Sequence, residues 1–264
     1  MNVLVTGGTG NLGQCLTRAI AARGHAVRVL SRRSRPQSAT NSFEWAQADI
    51  ASGEGVREAV AGVDAILHAA SDARRARAVD VNGTRHLVEA ARANSTAHLI
   101  YVSIVGIDDI PYSYYKRKRE AEEIIKSYGV PHSILRATQF YTLVDSLISV
   151  AARVPLVMPL PMDFKFQCVA ESEVAERLVH QLAERPSGRL PDFGGAEVLT
   201  LGEMAKTWMS AKGMMKRLIH LPLPGAVAAS FRAGKNTAPE GVRGVIGWRE
   251  WLMQRIHSKN DETL

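Results

Sequence analysis

The chain has 264 residues, of which 33 are Lys or Arg and 26 are Asp or Glu, so its formal net charge is +7. Hydrophobic residues make up 46% and charged residues 22%, which is typical of a globular protein and excludes a disordered chain. Two cysteines exclude a disulfide framework, and the histidines lack metal-binding spacing, so we expect no metal. No charged segment followed by an apolar one begins the sequence, so we expect no secretory signal and a cytoplasmic location.

The positive charge raises the question of nucleic-acid binding. Arg74, Arg75 and Arg77 form one basic cluster and residues 116–119 form another, but neither is interleaved with aromatics in a known reading module. We expect solvated basic faces and attraction of an anionic cofactor, with no nucleic-acid partner. The most apolar late stretches, residues 142–162 and 219–231, are interrupted by charges and prolines, so we expect no membrane span.

The first element predicted in the chain is a buried strand, Asn2–Thr6, which is apolar and rich in β-branched residues. Glycines follow at positions 7, 8, 10 and 13, and residues 12–22 have the periodicity of a helix. A strand, a glycine-rich turn and a helix together let backbone N–H groups and a helix N-terminus face a pyrophosphate. The predicted contacts are Gly7, Thr9, Gly10, Asn11, Leu12 and Gly13. The alternative is a glycine-rich turn that binds no ligand.

The second predicted strand, Ala26–Ser31, runs directly into Arg32 and Arg33. In NAD-preferring folds of this kind an acidic residue stands about twenty residues past the glycines, whereas an Arg suits the 2′-phosphate of NADP. No acidic residue occurs between Gly13 and Glu44. We therefore predict that NADP(H) is preferred over NAD(H), with Ser31, Arg32 and Arg33 at the 2′-phosphate. The alternative is that the arginines only begin a polar loop over residues 34–42.

Strands continue to alternate with helices along the next hundred residues. Strands are predicted at 43–47, 65–68, 98–103 and 131–136, and helices after Ser52, at 79–94 and at 112–128. This alternation predicts an α/β fold with a doubly wound, mostly parallel sheet of the Rossmann type.

The pattern changes from residue 139. We predict helices at 139–152, 173–183, 201–211 and 244–256, and short strands at 164–169, 189–193, 197–200 and 217–221. Prolines at 155, 159 and 161 predict a loop. The whole chain is expected to form one unit, with a core over about residues 1–140 and a smaller α+β cap over about 141–264, interleaved with it. The cap lies where ligand pockets of this architecture form.

Several stretches resemble a known family, the atypical short-chain dehydrogenase/reductases, and in particular the NmrA-like NAD(P)-binding proteins. The matching stretches are residues 6–13 (TGGTGNLG), 48–50 (ADI), 68–71 (HAAS), 82–84 (NGT), 101–108 (YVSIVGID), 115–116 (YK) and 135–138 (LRAT). The resemblance implies that Asp49 and Ile50 flank the adenine and that Ala69, Ala70 and Ser71 line the cofactor cleft. It also implies that Lys116 meets the nicotinamide ribose.

Family members with full reductase chemistry use a Tyr-x-x-x-Lys pair with a serine upstream. Residues four apart share a helix face, and a Lys beside a phenol lowers its pKa, so that the Tyr can protonate a carbonyl oxygen as hydride arrives. Tyr112 and Lys116 have this spacing, and Ser103 ends the fifth strand. The next position, where relatives often carry a second serine, is Ile104.

Two functions therefore stay open. One is an NADP-dependent oxidoreductase that transfers hydride to a small, fairly apolar carbonyl or quinone-like substrate. The other is a non-catalytic NADP-binding regulator or assembly factor with a protein partner, since some NmrA-like proteins bind the dinucleotide without turning it over. Phe140 and Tyr141 are the predicted substrate contacts, with simple core packing as the alternative. The sequence leaves monomer and dimer open.

Overall fold

A computed structural model describes residues 1–35 and 43–261, with side chains through residue 257. The chain divides into two compact units. The first contains residues 1–108, 112–136 and 171–191, and the second contains residues 109–111, 137–170 and those from 192 onward. The predicted organisation as one interleaved unit is not decided by this division and stays a prediction.

The first unit is built on a parallel sheet in the order β3-β2-β1-β4-β5-β6, with a short strand β9 beside β6. The strands are β1 (Asn2–Thr6), β2 (Ala26–Ser31), β3 (Glu44–Gln47), β4 (Ala65–His68), β5 (His98–Ile104), β6 (His132–Ala137) and β9 (Gly188–Arg189). This order and parallel pairing confirm the predicted α/β Rossmann-type fold.

Helices connect the strands of this sheet. They are α1 (Asn11–Ala22), α2 (Val56–Val60), α3 (Gly83–Ala93), α4 (Ser113–Ser127) and α6 (Glu171–His180). The helix predicted at 79–94 begins instead as a π-helical turn, Arg77–Asn82, before α3. Turns of this kind are rare and are frequently found at functional sites.

The strand register brings several chain segments to one edge of the sheet. Thr6, the last residue of β1, lies opposite Leu30 of β2 and His68 of β4, and His68 lies opposite Tyr101 of β5. Because all of these strands are parallel, the segments that follow them leave the sheet on the same side. Ligands bind at this edge in open α/β sheets.

The second unit has its own core and small sheets. Its elements are α5 (Tyr141–Ala151), β7 (Val157–Leu160), β8 (Lys165–Phe166), β10 (Phe193–Gly194), β11 (Leu199–Thr200), α7 (Leu201–Ala211), β12 (Arg217–His220), α8 (Ala226–Arg232), β13 (Val242–Arg243) and α9 (Trp248–Asp261). Strand β7 pairs with β12 in parallel and β8 with β11 antiparallel. Buried Trp248 stacks on both Tyr141 and Trp251 with ring centroids 5.5 Å apart.

Three features of the second unit differ from the predicted elements. Strand β7 lies within the segment predicted as a proline-rich loop, and neither α8 nor β13 was predicted. The last helix begins at Trp248, where the Glu197 carboxylate accepts the backbone N–H, and continues to Asp261. Helix α7 has the predicted bounds, and Thr200 and Glu203 form a capping box at its start.

Candidate functional site

The glycine-rich loop between β1 and α1 is packed too closely for side chains. Gly7 has φ +70, and a Cβ atom there would lie 2.8 Å from the carbonyl oxygen of Ala69 and from the Cα atom of Ala70. A Cβ on Gly13 would lie 2.1 Å from the Gly7 carbonyl oxygen. The loop therefore lies directly against the end of β4, which places the predicted contacts Gly7, Ala69 and Ala70 together.

The N-terminus of α1 is open to a ligand. Gly10 is its N-cap, no side chain caps the helix, and its first turn has no acidic residue. Thr9, Gly10 and Asn11 are exposed, whereas Leu12 and Gly13 are buried beneath them. Backbone N–H groups and the positive end of the helix dipole favour an anion at this position. The residues present thus fit the pyrophosphate of a dinucleotide.

Arg32 and Arg33 are both exposed just beyond the end of β2. The Ser31 hydroxyl accepts a hydrogen bond from the Arg33 backbone N–H at 3.1 Å, and the Trp45 indole donates to the Arg33 carbonyl at 2.8 Å. These bonds fix the backbone and leave both guanidinium groups at the surface. Most of the predicted polar loop, residues 36–42, lies outside the described residues.

Asp49 and Ile50 follow β3 at the same edge of the sheet. The Asp49 carboxylate accepts the Ala51 backbone N–H at 2.9 Å in a tight turn, and the side chain is half-buried. Ile50 is buried against Gly83, where a Cβ would lie 3.0 Å from the Ile50 Cγ1 atom. The turn is therefore rigid, and the predicted contacts of both residues with the adenine stay a prediction.

A chain of hydrogen bonds begins directly after Ala70. The Ser71 hydroxyl donates to the Asp80 carboxylate at 2.5 Å and lies 2.7 Å from the Tyr114 hydroxyl. Because Ser71 has one hydroxyl hydrogen and the carboxylate only accepts, Tyr114 is the donor to Ser71. Burial, and after it the Asp80 charge, raise the pKa of Tyr114, so the phenol is held in its protonated form.

Lys118 lies beneath this network and is completely buried. Its ammonium group donates to the Val102 carbonyl at 3.0 Å, lies 3.7 Å from the Asp80 carboxylate, and sits 4.2 Å from the centre of the Tyr101 ring. Burial lowers the pKa of Lys118, while the Asp80 and Glu122 carboxylates act in the opposite direction. A buried ammonium held by a carboxylate, a carbonyl and an aromatic face is a fixed charge, and Asp80 and Ser71 link it to Tyr114.

A buried histidine completes this part of the site. The two ring nitrogens of His68 contact the hydroxyls of Thr6 at 2.7 Å and Thr84 at 3.0 Å. Burial, with a smaller contribution from the Lys118 charge, lowers the pKa of His68 to about 3. The ring is therefore neutral at physiological pH, and it ties β1 and β4 to α3.

The three residues predicted to be catalytic lie outside the hydrogen-bond network of Tyr114, Ser71, Asp80 and Lys118. Tyr112 is the N-cap of α4 with 42% of its side chain exposed, and its ring is in edge contact with Tyr114 and Tyr115. Lys116 is exposed on the outer face of α4. Ser103 is buried near the end of β5. Hydrogen bonds, ion pairs and ring contacts of the described residues do not join these three side chains, and their catalytic roles stay a prediction.

A second Tyr-x-x-x-Lys pair on α4 was not predicted from the sequence. Tyr114 and Lys118 are also four residues apart, and both belong to the network at the carboxyl edge of the sheet. The signal that could have identified them is the apolar face of α4. Tyr115, Ala121 and Ile125 lie on the buried face, and that same face carries Lys118, but not Lys116.

Arg136 fastens α4 to the sheet. Its guanidinium makes two bonds to the buried Glu122 carboxylate, at 2.8 and 2.7 Å, and a third to Asp108 at 2.5 Å. Burial alone raises the pKa of Glu122, but the Arg136 and Ser103 contacts more than offset this and leave it below the usual value. The helix that carries Tyr114 and Lys118 is thus anchored by a buried ion pair.

The predicted substrate contacts Phe140 and Tyr141 lie in the second unit. Phe140 is the half-buried N-cap of α5. Tyr141 is 1% exposed, stacks on Trp248, and donates its hydroxyl to the Ile246 carbonyl at 2.8 Å. This geometry gives Tyr141 a packing role, and contact with a substrate stays a prediction for both residues.

Within residues 1–35 and 43–261, no helix is both long and apolar enough to cross a lipid bilayer. Among the same residues, no three histidine, cysteine or acidic side chains cluster as metal ligands would.

The parallel sheet, the close glycine loop and the open helix N-terminus define a dinucleotide-binding protein of the Rossmann type. The family described as NAD(P)H-binding matches residues 7–185, and the chain belongs to it. This confirms the resemblance to the atypical short-chain dehydrogenase/reductases.

Similar proteins include reductases. The chain is 30% identical over 210 residues to 2-alkyl-3-oxoalkanoate reductase from Stenotrophomonas maltophilia, covering 72% of this chain and 57% of that protein. It is 27% identical over 245 residues to ceramide reductase from Caulobacter vibrioides, covering 86% and 75%. The fold matches an NADPH-dependent quinone oxidoreductase from Escherichia coli with a TM-score of 0.74 at 17% identity, covering 96% and 99%.

Proposed function

We propose that the protein is an NADPH-dependent reductase that transfers hydride to an apolar carbonyl or quinone-like acceptor. The observation that carries this proposal is the network at the carboxyl edge of the sheet, where the Tyr114 hydroxyl, Ser71, Asp80 and Lys118 are linked. The relatives that are named as reductases support the reaction class. NADPH, when bound along the glycine loop, would supply the hydride.

Tyr114 is the proton donor in this proposal. The Tyr114 hydroxyl is protonated and contacts Ser71. Ser71 directly follows Ala70, which lies against the glycine loop, so the hydroxyl is near the edge of the sheet where a substrate would meet the cofactor. When the substrate oxygen gains negative charge, the O–H bond of Tyr114 breaks and its proton moves to that oxygen. The Lys118 cation, linked to Tyr114 through Asp80 and Ser71, then stabilises the phenolate that remains.

Lys118 has a second role in the proposal, as the residue that meets the nicotinamide ribose. Its ammonium group already has three fixed neighbours, so it is oriented before any ligand arrives. Lys116 was predicted for this role from the resemblance. Lys116 is exposed, and contact between Lys116 and the ribose stays a prediction.

The two tyrosines provide matched variants for testing the proposal. Tyr114→Phe and Tyr112→Phe each remove one hydroxyl from the same helix end. We expect Tyr114→Phe to lower kcat by about 10²-fold or more, with little change in NADPH affinity, and Tyr112→Phe to change kcat by less than about threefold. NADPH oxidation with apolar ketones, 3-oxo acids and quinones gives kcat, and NADPH fluorescence gives the affinity.

A large loss of kcat in Tyr112→Phe and a small one in Tyr114→Phe would assign catalysis to Tyr112 and Lys116. If the protein binds NADPH but oxidises none of it with any acceptor, the reductase proposal fails and the non-catalytic NADP-binding function takes its place.

We also propose that Arg32 and Arg33 select NADPH through its 2′-phosphate. Their exposure at the end of β2, beyond a backbone fixed by Ser31 and Trp45, supports this preference. Charged hydrogen bonds contribute about 1.5–3 kcal/mol, so Arg32→Ala with Arg33→Ala should weaken NADPH binding by about tenfold to a hundredfold. NADH affinity, measured by the same fluorescence titration, should change little. Equal loss for both cofactors would contradict the assignment.

A further inference from the structure

The outer face of α5 in the second unit is apolar and exposed. Leu143, Leu147 and Val150 are 48%, 44% and 62% exposed, and their spacing places them on one face of the helix. Val154 continues the same face just beyond the helix. The opposite face of α5 packs into the core of the unit through residues such as Val144 and Ile148. Helix α5 is therefore apolar on both sides, although only one side is covered.

A second exposed apolar segment runs along β12 and the residues around it. Met215 is 97% exposed, and Ile219, Leu221 and Leu223 are each about two-fifths exposed. Leu218 packs against the core of the second unit. Because side chains alternate along a strand, Ile219 and Leu221 lie on the opposite side. The outward face of this strand and of the residues after it thus carries apolar Ile219 and Leu221 beside the charged Arg217.

The two segments meet at the end of α5. The Lys216 ammonium donates to the carbonyls of Ala152 and Val154, at 2.6 Å each, and the Arg217 N–H donates to the Leu156 carbonyl at 3.2 Å. Leu156, 85% exposed, and Met215 therefore flank one junction. Leu156 has φ +63, a conformation that residues with side chains rarely adopt. We call the exposed residues of both segments the apolar–basic surface, and they are Leu143, Leu147, Val150, Arg153, Val154, Leu156, Met215, Arg217, Ile219, Leu221 and Leu223.

Positive charge predominates around this surface. Residues 146–162 and 204–239 contain no Asp or Glu. They contain seven cations, which are Arg153, Lys206, Lys212, Lys216, Arg217, Arg232 and Lys235. Arg232 pairs with Asp163 at 2.5 Å, while Arg153, Lys212 and Arg217 are exposed. Exposed leucine, valine and methionine side chains are thus surrounded by positive charge.

We propose that the apolar–basic surface docks the second unit onto the surface of an anionic lipid bilayer. Apolar side chains that reach the acyl boundary, together with Lys and Arg at the headgroups, are the two components of peripheral membrane binding. A second copy of this chain is the poorer occupant, because a symmetric contact would bring cations of the same segments together without acidic partners. This docking goes beyond the proposed reductase function and does not depend on it.

Vesicle flotation with the full chain tests the proposal. We expect the protein to float with vesicles of phosphatidylcholine mixed with phosphatidylglycerol, and to remain at the bottom with phosphatidylcholine alone. Leu156→Glu with Met215→Glu should reduce the floated fraction at least about tenfold, because both side chains are at the exposed junction. Val198→Glu with Val245→Glu is the matched control, because both side chains are exposed, both lie outside the two segments, and the total charge added is the same.

A second variant reports insertion directly. Leu156→Trp should show a blue-shifted fluorescence emission when anionic vesicles are added, compared with the native chain under the same conditions. No flotation of the native chain with anionic vesicles overturns the proposal, and so does equal flotation of the double variant. A dimer that Leu156→Glu with Met215→Glu dissociates, without vesicle binding, would assign the surface to a second copy. NADPH affinity measured on the same variants separates this result from failure of the reductase proposal.

Discussion

Replacing Asp80 by Asn tests how the buried network controls Tyr114. The hydrogen bonds from Ser71 to Asp80 and between Ser71 and Tyr114 measure 2.5 and 2.7 Å. The carboxylate therefore lies within about 5 Å of the phenol oxygen, where a unit charge disfavours the phenolate by about 3 kcal/mol at an effective dielectric constant of about 20. This energy corresponds to about two pKa units.

The sign of the effect follows from the charges that surround Tyr114. Asp80 is the nearby anion, Lys118 is the nearby cation, and Tyr101, Tyr112 and Tyr115 are the ionisable neighbours. Asp80→Asn removes the anion and leaves the cation, so it lowers the pKa of Tyr114. Because the proposed reduction needs the protonated phenol, the loss of activity at high pH should move about two pH units lower.

Two measurements check this prediction. The pH dependence of kcat for NADPH oxidation locates the high-pH loss of activity. The tyrosinate absorbance of Asp80→Asn, minus that of the same variant with Tyr114→Phe, follows the ionisation of Tyr114 without cofactor. Ser71→Ala is the matched control, because it keeps the Asp80 charge and removes only the Ser71 hydroxyl with its hydrogen bonds to Tyr114 and Asp80. If Asp80→Asn leaves the high-pH loss in place, or Ser71→Ala reproduces the full downward shift of about two pH units, the electrostatic reasoning is refuted.

Two further predictions concern the loop and the anchored helix. Gly13→Ala should destabilise the fold by about 1–3 kcal/mol and abolish measurable NADPH binding, because the new Cβ would lie 2.1 Å from the Gly7 oxygen. Thermal unfolding measures the first effect and fluorescence titration the second. Normal NADPH affinity would contradict this prediction. Glu122→Gln should cost about 3 kcal/mol or more at neutral pH, because it breaks the buried pair with Arg136. Since the pKa of Glu122 is lowered by folding, its contribution exists above its unfolded pKa and is lost as pH falls. Urea unfolding should thus show the difference between native and variant protein shrinking in acid, and a constant difference would contradict this origin.

The parallel core could be predicted because its strands are short apolar runs that alternate with periodic helices. Helix α7 has the predicted bounds, and its capping box of Thr200 and Glu203 is a start signal that the sequence contains. Strand β7 was missed because Pro159 argues against a strand, yet β7 pairs only with the short parallel strand β12 in the described chain. Pairing between distant segments decides such strands, and local sequence does not show it.

The site could be predicted less completely than the sheet. The glycine loop could be predicted from local sequence, because the strand, the glycines and the helix that form it follow one another in the chain. The Tyr-x-x-x-Lys spacing occurs twice on α4, at Tyr112 with Lys116 and at Tyr114 with Lys118, and spacing alone does not distinguish them. A shift of two residues rotates a side chain about 200° around the helix, to nearly the opposite face. Only the packing of α4 against β5 and the π-helical turn shows that Lys118 is the buried lysine.

The positive charge of the chain has two structural roles that the sequence does not separate. Lys118 and Arg136 are buried and held by carboxylates, so their charges fix α4 at the sheet. Arg153 and Arg217 are exposed in segments that lack acidic residues. Salt screens exposed charges over about 8 Å at physiological ionic strength but screens buried pairs much less. Raising the salt concentration should therefore weaken flotation with anionic vesicles and leave the high-pH loss of NADPH oxidation in place. If both change together, the two sets of charges do not act separately.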